Sequence, residues 1–497
     1  MSNIQIENLT FAYSSGNEPI FENVNLNIST DWKLGFVGRN GRGKTTFLNL
    51  LMGKYEYKGK ISSPVKFDYF PYPVHDDNDI TLNVLRGVCV TGEDWQFMRE
   101  LSLLDVSTEV LYRPLNTLSY GEKTKVMLSA MFVNEGNFLL IDEPTNHLDY
   151  AARKTLAAYL RKKRGYILVS HDREFLDGCV DHILSLNKCD IALQSGNFTA
   201  FLTDFERRQQ YEIKQNARLQ SDIQRLQGAS AQTALWSDKV ESTKNGTKNS
   251  GLRPDKGYIG HNSAKMMKRS KVIEARIDRQ IEEKSALLKN VEAAPKLKIN
   301  SNYCHAQRLV SLTNVVPYYD GKAVTEPVTF TVERGDTVAL DGFNGCGKSS
   351  ILKIISGLNI EFTGILKTAP HIKISYLPQD KITYTGTLSD FAKSENIDES
   401  LFKAILNKLG FNKDIFRNDM SSFSLGQNKK IAIAKSLCEQ ADLYVWDEPL
   451  NYVDVFSRIQ IEDLIAEYRP SMIFVEHDYV FRNKIATKKV EIKKLYT

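Results

Sequence analysis

Short apolar, β-branched runs recur along this chain, and each gives way to a loop or to a helical pattern. "KLGFVG" (33–38) leads into a helical stretch at 44–53, while "FLLID" (138–142) and "YILVS" (166–170) each run into a loop. Strand followed by helix, repeated, predicts an α/β layout on a mostly parallel sheet. The middle of the chain has a different period. Residues 204–242 hold few helix breakers, and Leu219, Ile223 and Leu226 form a stripe at spacings of 4 and 3. Beyond a polar stretch, Ile273, Ile277, Ile281, Leu288 and Val291 continue at 4, 4, 7 and 3. Two such helices with a loop between them predict a long antiparallel helical hairpin. A 39-residue helix would be about 58 Å long. The alternative is a flexible linker, but Gly and Pro are confined to the loop and a few isolated positions.

The apolar runs also occur twice. "FVGRNGRGKTTFLNLLMG" (36–53) parallels "LDGFNGCGKSSILKIISG" (340–357), "LLIDEPTNHLD" (139–149) parallels "YVWDEPLNYVD" (444–454), and "ILVSHD" (167–172) parallels "IFVEHD" (473–478). Order and an offset near 305 are kept throughout, so one domain is duplicated. The expected organisation is a first nucleotide-binding domain at 1–203, a helical hairpin at 204–296 with its loop at about 243–264, and a second domain at 305–497.

Charge changes the reading of the middle segment. Residues 239–271 hold nine Lys/Arg against Glu241 and Asp255, a net of +7, while the whole chain carries only +5. The rest of the chain therefore sums to about −2. Lys244, Lys248, Arg253, Lys256, Lys265, Lys268 and Arg269 surround one aromatic, Tyr258, and Asn245-Gly246 marks a turn. Cations neutralise phosphate and an aromatic can stack on an unpaired base, so this segment is a candidate RNA contact. A solvated surface loop is the plainer alternative. Cysteines at 89, 179, 189, 304, 346 and 438 make no CxxC pair, which argues against a zinc ribbon or a disulfide framework and favours a reduced, cytoplasmic setting. No apolar run reaches the length of about 18 residues that a membrane span needs. The opening "MSNIQIENLTFAY" lacks a signal-peptide pattern.

The repeated motifs carry phosphate chemistry. Gly38 to Thr45 and Gly342 to Ser349 match G-x-x-x-x-G-K-[ST]. Glycines allow successive backbone N–H groups to point at phosphate oxygens, and the following helix offers its N-terminus to the anion. The expected nucleotide contacts are Gly38, Asn40, Gly41, Gly43, Lys44, Thr45 and Thr46, and in the second copy Gly342, Asn344, Gly345, Gly347, Lys348, Ser349 and Ser350. The lysines would reach the β/γ phosphates, and the hydroxyls of Thr45 and Ser349 would face Mg2+. Asp142 and Asp447 end apolar runs, where a carboxylate can hold Mg2+ or its water. Glu143 and Glu448 follow directly and are the candidates to orient or deprotonate the attacking water. His171 and His477, after later strands, could hold that glutamate and water in line with the γ-phosphate. "TLSYGEKTK" (117–125) and "SFSLGQNKK" (422–430) place Ser119 and Ser424 as N-caps and phosphate donors, with Gly121 and Gly426 permitting close backbone approach.

These elements, in this order, resemble ATP-binding cassette (ABC) domains over about 400 of the 497 residues. The resemblance implies two cassettes facing head to tail, each ATP held between one P-loop and the other cassette's signature. One site would then join Lys44, Asp142, Glu143 and His171 to Ser424 and Gly426. The other would join Lys348, Asp447, Glu448 and His477 to Ser119 and Gly121. Adenine would stack on Tyr13 and on Tyr319, with Tyr318 as substitute. The family's glutamine, a Mg2+ ligand, is present as Gln379, but Tyr72 stands at that place in the first copy. The first site would then hydrolyse differently, but both glutamates are retained, so two competent sites are expected. Tyr120 and Leu425 replace the usual signature glycine.

Tandem cassettes joined by a helical hairpin, without a membrane segment, resemble the ABC-F proteins, closest to the Lsa type of the antibiotic-resistance group. That resemblance implies a monomeric ATPase that binds the 70S ribosome at its exit site, contacts 23S rRNA and tRNA, and displaces drug from the peptidyl-transferase centre. Lincosamides, streptogramin A and pleuromutilins would be the drugs. The rivals are a drug-independent translation factor of the same family and the cytosolic ATPase of an exporter. A DNA-repair ATPase is disfavoured by the absent zinc-binding cysteine pairs.

Overall fold

The computed structural model describes residues 2–13, 19–74, 76–89, 92–134, 136–146, 148–187, 189–242, 306–380, 382–411 and 415–495, with 265, 268, 272, 276, 277 and 279. Two compact units result, Met1–Phe201 with Pro295–Thr497, and Leu202–Ala294.

The first unit contains the same architecture twice. In the first copy six strands run in the order Lys66–Phe70, Asn137–Asp142, Tyr166–Val169, Lys33–Gly38, His182–Leu186, Ile191–Ser195. All neighbours are parallel except the last pair. In the second copy five parallel strands run Ile374–Leu377, Leu443–Asp447, Met472–Val475, Thr337–Asp341, Lys488–Glu491. Each inner strand is buried along nearly its whole length, as in Phe138–Ile141 and Leu443–Asp447, because helices cover the sheet.

Each copy also carries an antiparallel sheet that the sequence pattern did not predict. Asn3–Phe11 pairs with Phe21–Ser29 and Lys58–Ser62, and Arg308–Tyr319 pairs with Val328–Glu333 and Glu361–Thr368. Alternation marks these strands: Phe21, Val24, Leu26 and Ile28 are buried between exposed polar residues. They pack through Phe36 and Phe47, whose rings meet edge to face at 5.3 Å. Burying each phenyl contributes about 2–3 kcal/mol. This layer fixes the helix Lys44–Leu51 that leaves the P-loop.

A 45-residue helix, Phe198–Ser242, enters the second unit. Leu219, Ile223 and Leu226 are half-buried on it. Residues 265, 268, 272, 276, 277 and 279 are helical; the loop 243–264, Lys244, Lys248, Arg253, Lys256, Tyr258, Arg269 and the remaining stripe residues Ile273, Ile281, Leu288 and Val291 lie outside the described residues. Lys265 and Lys268 are exposed.

Candidate nucleotide-binding sites

Parallel strands put Gly38, Asp142 and Val169 on one edge of the first sheet, and Asp341, Asp447 and Val475 on one edge of the second. Ligand sites in such sheets lie outside this edge. The P-loops turn there through Gly43 and Gly347, at φ 103° and 95°. A Cβ on Gly43 would stand 2.6 Å from Ile20, and on Gly347 2.5 Å from Thr325, so each position requires glycine on two grounds. Lys44 Nζ donates to the Gly38 carbonyl at 2.8 Å, and Lys348 Nζ to Gly342 at 2.7 Å and Phe343 at 2.8 Å. Both ammonium groups thus lie folded over their loops.

Glu143 and Glu448 follow their strands in the left-handed region, at φ 51° and 46°. Such backbone is costly for a non-glycine residue, and it aims each carboxylate back over the sheet edge. Their N–H groups are anchored on Val169 and Val475 at 2.9 and 3.0 Å. His171 Nε2 lies 3.3 Å from Glu143 Oε1, and His477 Nε2 3.4 Å from Glu448 Oε1.

Beyond that common frame the two sites differ. Glu448 Oε2 accepts from Gln379 at 2.9 Å and from Asn451 at 2.5 Å. Burial alone would raise its carboxyl, but His477, Asn451 and Gln379 outweigh burial and hold it down at about 2. Among the described residues no side-chain amide donates to Glu143. Burial, and then the neighbouring Asp142, push it up to about 8. Burial likewise lowers His171 well below its ordinary value, helped by Lys44. Tyr72, at the glutamine position, turns away and donates to Asp68 at 2.6 Å.

The aspartates differ as well. Asp142 Oδ2 accepts from Thr45 at 2.9 Å and from Tyr69 at 3.1 Å. Burial pushes the Asp447 carboxyl up to about 6 although the nearby Ser349 hydroxyl draws it down, and among the described residues neither of its buried oxygens accepts a well-aligned hydrogen bond. An orphaned carboxylate at the mouth of a phosphate loop fits a hard cation. Among the described residues no three His, Cys, Asp or Glu side chains gather to hold a metal. Asp447, with the Ser349 hydroxyl and the Gln379 side-chain oxygen, would hold such an ion through few protein donors, which is the habit of Mg2+.

The copies also meet head to tail. A cavity of about 960 Å³ is lined by Ser119, Tyr120 and Gly121 from the first copy and by Tyr319, residues 343–345 and 347–350, Gln379, Glu448 and His477 from the second. Its Tyr319 contacts Ser350 at 3.2 Å; Tyr318 is not in the lining. On the other side Asn40 Nδ2 donates to the Tyr452 carbonyl at 2.5 Å, against Gly426, where a Cβ would stand 2.5 Å from the same Nδ2. Tyr13 meets Thr46 at 2.9 Å. Ser119 and Ser424 cap their helices through capping boxes with Glu122 and Gln427.

Sequence reasoning missed Tyr69, Asn451 and the aspartates Asp149 and Asp454. Buried Lys430 pairs with Asp454 at 2.7 Å, and the Asn40 N–H points at the same carboxylate at 3.4 Å. It also missed Arg173, which crosses between the copies to a buried ion pair with Glu462 and lies 3.4 Å from Asp478. The repeat of "EP-x-N-x-x-D" was the available signal for Asn451 and Asp454.

Fold and sites together define a P-loop ATPase with tandem nucleotide-binding domains. The ABC transporter family model matches residues 21–146 and 325–451, just over half the chain, and the chain belongs to that family. It is an ATPase. Over 97% of its length it is 27% identical to the ribosome protection protein VmlR of Bacillus subtilis strain 168, covering 85% of that protein. It is 24% identical to ABC transporter F family member 2 of Arabidopsis thaliana, over 99% of this chain and 76% of that one. Among solved structures, the archaeal ribosome recycling factor aABCE1 in complex with ribosomal stalk protein aP1 shares the fold, with a TM-score of 0.63 at 19% identity over 97% of this chain and 87% of that one. Among the described residues no helix is long and apolar enough to cross a membrane.

Proposed function

We propose that this chain is a cytoplasmic, monomeric ABC-F ATPase that binds the ribosome in its ATP-loaded form and protects it from drugs at the peptidyl-transferase centre. The observation that carries this reading is likeness to a ribosome protection protein along 97% of the chain, not over the cassettes alone. The net charge of +7 over residues 239–271 supports it, since an exporter ATPase has no use for a basic insertion between its cassettes.

Glu143 and Glu448 act as the bases that orient and deprotonate water, with His171 and His477 holding them. Lys44 and Lys348, the P-loop amides and the opposing Ser424, Gly426, Ser119 and Gly121 bind the phosphates. Adenine lies against Tyr13 and Tyr319. Thr45 with Asp142, and Ser349 with Asp447 and Gln379, would hold Mg2+. When bound, that ion neutralises charge on the β and γ phosphates. ATP closes the cassettes, and only the closed form binds rRNA and tRNA at the exit site. The segment 204–296 is the arm; Lys244, Lys248, Arg253, Lys256, Tyr258, Lys265, Lys268 and Arg269 contact RNA. Drug leaves because arm-bound and drug-bound ribosomes exclude one another. Lincosamides, streptogramin A and pleuromutilins are the drugs to test.

The test is translation in vitro with a lincosamide or a pleuromutilin present. The intact chain restores synthesis, and a chain shortened within 246–258 hydrolyses ATP but does not. Protection by the shortened chain would remove the arm from the mechanism. No protection by the intact chain, with ATP-dependent ribosome binding preserved, would favour a drug-independent translation factor.

A further inference from the structure

One face of the first cassette stands apart from both nucleotide sites. On the helix Asp94–Leu103, Trp95, Arg99 and Leu103 are exposed at intervals of four, so they share a stripe. The Arg99 guanidinium lies 5.6 Å over the Trp95 ring. Leu103 joins Ala151, Lys154, Thr155, Ala158 and Lys162, along the helix Tyr150–Arg161 and its C-cap, in lining a groove of about 480 Å³. Beneath it, buried Glu100 accepts from Tyr159 at 2.5 Å, Lys163 at 2.6 Å and Arg99 at 2.9 Å. That carboxylate staples the two helices and fixes the groove's shape.

The duplication provides an internal comparison. With the offset of 305, Phe97, Leu101 and Leu104 match the equally buried Phe402, Leu406 and Leu409. On the same register Arg99, Lys154 and Lys162 become Ala404, Ile459 and Glu467, and Ala158 becomes Asp463. The staple of Glu100, Tyr159 and Lys163 becomes Ile405, Leu464 and Tyr468. The fold therefore does not require a basic face here; the first copy has it and the second reverses its sign.

We propose that this groove binds the phosphate backbone of RNA, with Lys154 and Lys162 on phosphates and Trp95 offering a stacking face. Eight residues of helix separate the two lysines by about 12 Å along the axis, a span that covers more than one phosphate of a strand. Cations beside an exposed indole suit a nucleic acid, and no acidic residue lines the groove. This deepens the ribosome reading and rests on it for its biological setting. The same helix carries Asp149 as its N-cap and Arg153, both in the lining of the 960 Å³ nucleotide cavity. RNA on one face of this helix and ATP at its start would be linked through one rigid element.

The test is anisotropy of a fluorescein-labelled RNA hairpin titrated with the full chain at several salt concentrations. Wild type is compared with Lys154→Gln/Lys162→Gln and Lys154→Glu/Lys162→Glu. ATP hydrolysis, which uses neither lysine, serves as the folding control. In both variants the slope of log affinity against log salt becomes shallower by about 2, and charge reversal weakens binding roughly tenfold or more. An unchanged slope in both variants overturns the proposal, as does an unchanged slope beside tight binding of a polyglutamate peptide, which would make the groove a protein site. Because free RNA is used, the result is separate from ribosome binding. Ribosome binding with an unchanged slope rejects only the groove, and a changed slope without ribosome binding rejects only the ribosome reading.

Discussion

Gln379 donates its side-chain amide to Glu448 at 2.9 Å, whereas its counterpart Tyr72 bonds to Asp68 and makes no such bond to Glu143. The two glutamates thus share a backbone geometry and are driven in opposite directions, Glu143 towards its protonated form and Glu448 towards its ionised form. Three donors outweigh burial at Glu448; at Glu143 burial dominates.

A difference in pH dependence follows. A general base works ionised. Glu143, raised to about 8, is mostly protonated at neutral pH, so first-site hydrolysis should climb as pH rises through about 8. Glu448, held at about 2, is ionised across the whole working range, so second-site hydrolysis should be flat there. Glu448→Gln isolates the first site and Glu143→Gln the second. Phosphate release from each, measured between pH 6 and 9, would refute the asymmetry if the two profiles coincided.

Tyr69 gives the first site a second distinction, since its hydroxyl holds Asp142 while Tyr376 has a buried hydroxyl without a partner. Losing a hydrogen bond to a buried carboxylate costs about 1–2 kcal/mol. Tyr69→Phe in the Glu448→Gln background should weaken Mg2+-dependent binding of a fluorescent ATP analogue by roughly threefold or more. Tyr376→Phe in the Glu143→Gln background should leave Mg2+ dependence unchanged. Equal effects of the two substitutions would remove Tyr69 from that role.

Arg173 makes the contact between cassettes that has no counterpart in the repeat, where Tyr479 stands and stacks on Tyr150 at 5.5 Å. Arg173→Met leaves Glu462 with Lys484 at 3.3 Å and Asp478 with Arg458 at 3.2 Å. The remaining partners limit the loss to about 2–3 kcal/mol, below the cost of a fully orphaned buried charge. Thermal unfolding should show a Tm lower by several degrees. An unchanged Tm would mean that the pair adds nothing to the closed arrangement.

The parallel sheets were legible because their strands are continuous apolar runs ending in motifs, and duplication made each motif count twice. The antiparallel layer was not, since the alternation of strands such as Asn3–Phe11 is interrupted by register shifts between Ile6 and Leu9 and between Leu9 and Phe11. Residues of the P-loop were legible by type and spacing. Tyr69 and Asn451 were not, because their roles depend on which way a loop side chain turns. Nor was the fate of Tyr72: it stands at the place that Gln379 holds in the second copy, but only three dimensions bring Asp68 within 2.6 Å to divert it. The cross-cassette Arg173–Glu462 pair joins residues 289 apart, beyond the reach of any local pattern.

Engagement of the ribosome should depend on bound ATP. Glu143→Gln/Glu448→Gln should bind ATP and stall before hydrolysis, and the measurement is its sedimentation with 70S ribosomes, with and without ATP. Stable co-sedimentation is expected with ATP and none without it. Protein that binds ATP yet stays in the supernatant in both conditions would contradict the ribosome reading and leave only the ATPase.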